Sequence, residues 1–162
     1  MKDGTTISAL AALSAGWGLF ILSFSDSAEA SLSSFDRWRA ECKVDSLTDQ
    51  TSCNVMYAKL GNGYIGISLT QIEGKFIFAI STDHGILEGC AIRVDAEKAI
   101  TSDITYQGIC LMGPGVIDTQ KIMDDFLVGE SVLVRVYLYG KGYEETRIPL
   151  QGFEDTVKEA NW

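Results

Sequence analysis

Four cysteines, one histidine and three closely spaced tyrosines are the residues of this chain best suited to chemistry. The cysteines are Cys42, Cys53, Cys90 and Cys110. Thiols bind metals, exchange with disulfides or pair with one another. Metal and redox sites favour CxxC spacing or several histidines, but the chain has no CxxC and only His84. An even number of cysteines then reads as two disulfides formed in an oxidising compartment. Four cysteines allow three connectivities, and local patterning favours Cys42–Cys53 with Cys90–Cys110. Between the first two lie turn-prone Asp45, Ser46, Thr48 and Asp49, flanked by Phe35 and Trp38 before and by Val55 and Tyr57 after. That pattern predicts a hairpin with Cys42 facing Cys53. The stretch DAEKAITSD, centred near Ile100, predicts the same for Cys90 and Cys110. Each bridge is thus expected to staple a single hairpin.

Nucleophilic catalysis by a Ser-His-Asp or Cys-His arrangement would have to use His84. It sits in the loop Ser81-Thr82-Asp83-His84-Gly85, which reads as a turn, and no G-x-S-x-G elbow is present. Glycosidases need two carboxylates facing each other across a cleft. The adjacent pairs Asp124-Asp125 and Glu144-Glu145 point in different directions and read as solvated faces. Calcium-type oxygen-rich spacing and phosphate loops are both missing from the sequence. The chain therefore reads as non-enzymatic, with no metal and no cofactor. Its remaining candidates are Tyr137 and Tyr139, which alternate onto one face of a strand, and Tyr143 across the following turn. If that face is exposed it can bind a protein or a sugar. If a second sheet or the C-terminal helix covers it, the tyrosines are core.

The formal charge is −9 at neutral pH, without a basic stripe. Nucleic acid and anionic membrane surfaces both require clustered Lys and Arg, so neither is an expected partner. From Ile7 to Phe24 the sequence carries no charge, and Ala28-Glu29-Ala30 fits the small-x-small rule for signal peptidase. Residues 1–30 are expected to be a cleaved signal peptide, with an uncleaved anchor as the only membrane attachment. Residues 31–162 then form a single disulfide-stapled β domain in the periplasm or secreted. This part has 12 basic against 19 acidic residues, a charge of −7.

The elements that must position these residues are mostly strands. Ile65, Ile67 and Leu69 alternate with Tyr64, Gly66 and Ser68, and Phe76, Phe78 and Ile80 alternate with Lys75, Ile77 and Ala79. Val132, Val134, Val136 and Leu138 share one face of SVLVRVYLY, opposite Leu133, Arg135, Tyr137 and Tyr139. Turns are expected at Gly61-Asn62-Gly63, Ile72-Glu73-Gly74 and Gly140-Lys141-Gly142. One short helix is expected near 119–128, capped by Asp118 or Thr119, ended by Gly129 and striped by Ile122, Met123, Phe126 and Leu127. A second covers the C-terminal GFEDTVKEANW. Strands dominate and do not alternate with long helices, so the fold class is mostly β, an antiparallel β-sandwich or barrel-like arrangement.

Four stretches in order carry a family resemblance. They are a leader followed by WRAEC, with a second cysteine one hairpin later; GILEGCAIRVD; ITYQGICLMGPGVI; and the closing RIPLQGFEDTVKEA. Together they resemble the invasion-associated locus B family of exported bacterial proteins, over most of residues 35–160. The family often sets its second cysteine pair close together around a Gly turn, whereas here only Cys110 sits in that turn. The resemblance implies a compact β-sandwich, a role in contacts linked in some pathogens to host-cell invasion, and no catalytic residues to carry over. The expected function is that of an exported non-enzymatic envelope or secreted protein acting on a protein partner. The alternative is a small-ligand or glycan-binding module using the aromatic face.

Overall fold

Period-two alternation becomes strand wherever turn chemistry bounds it, and a computed structural model describes the result for residues 37–61, 63–115 and 117–162. The expected leader (residues 1–30), Phe35 and Asn62 lie outside the described residues. A four-strand meander comes first: β1 (Arg39–Val44), β2 (Thr51–Gly61), β3 (Gly63–Ile72) and β4 (Lys75–Thr82). Each pairs antiparallel with its predecessor. The β3–β4 turn holds Glu73 and Gly74 at φ 51° and 74°, the double left-handed pair that matches strand twist in a two-residue hairpin. The chain then crosses to β5 (Leu87–Val94) and β6 (Ile100–Ser102), returns through β7 (Thr105–Tyr106) and β8 (Ile109–Met112), and forms α1 (Thr119–Val128). It ends with β9 (Ser131–Leu138), β10 (Gly142–Pro149) and α2 (Phe153–Glu159). The six-stranded sheet runs β1-β2-β3-β4-β8-β7 and the four-stranded sheet β10-β9-β5-β6, both antiparallel. Among the described residues the fold is a β-sandwich with two helices and not a closed barrel.

Both disulfides form. Cys42 and Cys53 are directly opposite in the β1–β2 register, as the hairpin predicts. The within-hairpin expectation for Cys90–Cys110 is corrected. The turn-rich stretch holds two hairpins, β5–β6 and then β7–β8, which turns at Gln107-Gly108. Cys90 therefore lies opposite Ser102 and Val136 in the small sheet, while Cys110 lies opposite Ile80 in the large one. Both are fully buried with Cα atoms 6.0 Å apart, so this bridge ties one sheet to the other.

The inward strand positions meet in one cluster. Val55, Ile67, Leu69, Phe78 and Ile80 come from the large sheet, and Ile92, Val132, Val134, Val136 and Ile148 from the small one. Each such side chain contributes about 1.5–3 kcal/mol on burial. The helices extend the core at an aromatic cluster. Phe126 of α1 meets Phe78 and Phe153 with ring centroids 5.4 Å away in each case, and Trp38 packs on Phe153 at 4.7 Å. The Trp38 indole N–H donates to the Pro149 carbonyl at 2.8 Å, which satisfies the one polar atom this ring buries. Asp118 caps α1 by accepting from the Lys121 N–H at 3.0 Å. Thr119, Ile122, Met123 and Phe126 form its buried stripe. Leu127 is corrected to the solvent side, because it lies a further 100° around the helix from Phe126.

Candidate functional site

The outer face of the four-stranded sheet is fixed by strand register. Tyr143 lies beside Tyr137, which lies beside Gly89. The next row is Glu145, Arg135, Ala91 and Thr101, and the third is Arg147, Leu133 and Arg93. Inward valines alternate with these residues along β9, so the packing that builds the core also aims this set outward.

This face is open, which answers the question of core against surface. Tyr139 is 70% and Tyr143 58% exposed, and Tyr137 is half-buried among its neighbours. The C-terminal helix packs against β1 and α1, away from the tyrosines. Arg135 organises the centre. Its Nε donates to Glu145 Oε1 at 2.7 Å, and its guanidinium carbon lies 4.4 Å above the Tyr143 ring centroid. Glu145 first, and then the Tyr137 side chain, raise the Arg135 pKa above its ordinary value, so the guanidinium stays charged. Cation–π contact and the ion pair together pre-orient Arg135 and Tyr143.

Between the tall side chains of β9 and the short edge strand β6, small residues leave two adjoining hollows of about 330 and 490 Å³. Gly89 and Ala91 form their floor, and Tyr137 and Thr101 border both. Gly89 is required by close approach: a Cβ there would lie 2.8 Å from the Ser102 carbonyl oxygen and 3.7 Å from Tyr137 Cδ2.

A second polar group closes one end of the sandwich. His84 pairs through Nδ1 with the Glu144 carboxylate, and its Nε2 lies 3.7 Å from Asp83. Lys141 Nζ donates to the His84 carbonyl at 2.7 Å, and the Tyr139 N–H to the Ile86 carbonyl at 2.9 Å. These contacts strap the β4–β5 connection to the β9–β10 hairpin. The expectation that Glu144-Glu145 is a merely solvated pair is corrected: Glu144 faces His84 and Glu145 faces Arg135, on opposite sides of β10. Asp125 likewise pairs with Lys121. Every cysteine is disulfide-bonded, leaving no free thiol. Among the described residues no cluster of three His, Cys, Asp or Glu could hold a metal, and no helix is long and apolar enough to cross a membrane.

The structure thus sets Tyr137 and Tyr143 side by side on one face and leaves Tyr139 exposed just past the end of β9. It adds Arg93, Arg135, Gly89 and the rim residues Glu88 and Asp103, which sequence reasoning did not single out. Alternation in SVLVRVYLY already aligned Arg135 with Tyr137, but the pairing of β5 with β9 was not legible locally. Two disulfides mark an oxidising, extracytoplasmic environment for this fold. Compared with protein-family models, curated proteins and solved structures, the chain matches none.

Proposed function

We propose that this chain is an exported, non-enzymatic module that works through protein contacts on the outer face of its small sheet. The observation that carries the reading is the pair of exposed rings Tyr139 and Tyr143, with half-buried Arg135 lying over the Tyr143 ring and held there by Glu145. Tyrosine and arginine dominate binding hot spots because they offer large contact area and multiple donors at low ordering cost. Export through a cleaved leader to the periplasm or beyond accounts for both bridges. The sequence resemblance to the invasion-associated locus B family supports host-surface contact as one form this role takes.

A photo-crosslinking residue at Tyr139 or Tyr143 tests the proposal in the living cell, with Glu73 on the distant β3–β4 turn as control. A discrete protein adduct from the two tyrosine positions and none from Glu73 is expected. Equal or absent adducts at all three positions overturn the reading. The hollows beside Tyr137 support a second reading, a small ligand or glycan, because their size falls in the range of ligand sites.

A further inference from the structure

The two hollows differ in charge, and the difference is not neutralised among the described residues. Arg93 lines one, and among the described residues it has no hydrogen-bond or ion-pair partner. Glu88 and Asp103 line the other and are equally unpaired. Between them the floor is Gly89 and Ala91, and the central arginine, Arg135, is already matched by Glu145. The groove is therefore bipolar, with a free cation at one end, free carboxylates at the other, and a middle floored by Gly89 and Ala91 and walled by Tyr137, Thr101 and the matched Arg135–Glu145 pair. From Arg93 back to the level of Gly89 is four strand residues, about 13 Å. An extended peptide spans that distance between residues i and i+4, whose side chains fall on one face, with i+2 over the floor.

We infer that the groove over β5 takes an extended segment of the protein partner carrying an acidic side chain at the Arg93 end and a basic one, four residues away, at the Glu88–Asp103 end. The inference rests on the protein-binding reading above and specifies the partner's chemistry. Opposite charges at both ends fix register and reject segments with like charges at the two positions.

The test is a titration of the purified protein, followed by backbone amide NMR shifts, with three capped peptides. They are Asp-Thr-Val-Thr-Lys, Asp-Thr-Val-Thr-Asp and Lys-Thr-Val-Thr-Lys. The bipolar peptide should bind about fivefold tighter than either like-charged one, the worth of one added exposed ion pair in place of a repulsion. The largest shifts should fall at Ala91 and Thr101, and about 0.5 M NaCl should erase the preference. Arg93→Glu should shift the preference to the Lys–Lys peptide, and Asp103→Lys should move it towards the Asp–Asp peptide. Each exchanged preference also proves that the variant is folded. Equal binding of all three peptides, shifts mapping elsewhere, or preferences that survive both variants would overturn the inference. So would shifts at the same amides from neutral maltohexaose without any peptide preference. If crosslinking from Tyr139 and Tyr143 still captures a partner while the peptides show no preference, only the bipolar groove fails. If both experiments fail, the protein-binding reading falls with it.

Discussion

Asp95 ends β5 at a left-handed φ of 43°, and its carboxylate then accepts from the Glu130 and Ser131 N–H groups at 2.9 Å each. The Ser131 hydroxyl adds a third donor at 3.1 Å. The bond from Glu130 leads the causes that hold this carboxyl below its ordinary range. A carboxylate with a lowered folded pKa contributes stability above its unfolded pKa of about 3.9, and loses it as pH falls through the folded value. Asp95→Asn should therefore lower Tm by a constant amount above about pH 5, with the gap to wild type closing in acid. Thermal melts between those limits check this, and a gap that widens in acid would contradict it. The two disulfides should also separate by access: Cys42 is exposed, whereas Cys90 and Cys110 are fully buried. Graded native-state reduction followed by alkylation and peptide mapping should label Cys42 and Cys53 first.

At the scale of elements, the junction of α1 with β9 depends on Gly129 for space. Its φ of −78° suits any residue, but a Cβ there would stand 2.4 Å from Val94 Cγ1 and 2.9 Å from the Asp125 carbonyl oxygen. Gly129→Ala should cost about 1–3 kcal/mol through overpacking, measured as a lower urea midpoint. Phe126→Ala, which empties the contact between Trp38, Phe78 and Phe153, should cost about 3–5 kcal/mol. Both helices and the β1–β2, β3–β4 and β9–β10 hairpins were legible in the sequence because their signals are local. Ile122, Met123 and Phe126 recur at helical spacing, and Glu73-Gly74 supplies its own turn geometry. The candidate site was half legible for the same reason. Tyr137 and Tyr139 follow from alternation on one strand, whereas Arg93, Gly89 and Thr101 join them only through β5–β9 and β5–β6 pairing. The identity of a strand's neighbour depends on packing summed over the whole chain, so no local window contains it.

For the whole molecule, the decisive placement is the Cys90–Cys110 bridge between the sheets. Local patterning reached this pairing through a hairpin that does not exist as such, and the consequence for stability differs. A staple within β1–β2 restrains a register that its own ladder already fixes. A tie from β5 to β8 keeps residues 90 and 110, which the fold assigns to different sheets, close together in the unfolded chain, and its sulfur atoms also fill the core. Chain entropy alone assigns about 3 kcal/mol to each bridge, since their sequence separations are 20 and 11 residues. The paired replacement Cys90→Ala with Cys110→Ala adds a cavity cost that Cys42→Ala with Cys53→Ala avoids on its exposed side. Urea unfolding should therefore show a larger loss for the 90/110 variant, by about 1–2 kcal/mol. Its m-value should rise above wild type, because the untied unfolded chain exposes more surface. Equal losses in the two variants, with unchanged m, would mean that the sheets are held together by packing alone.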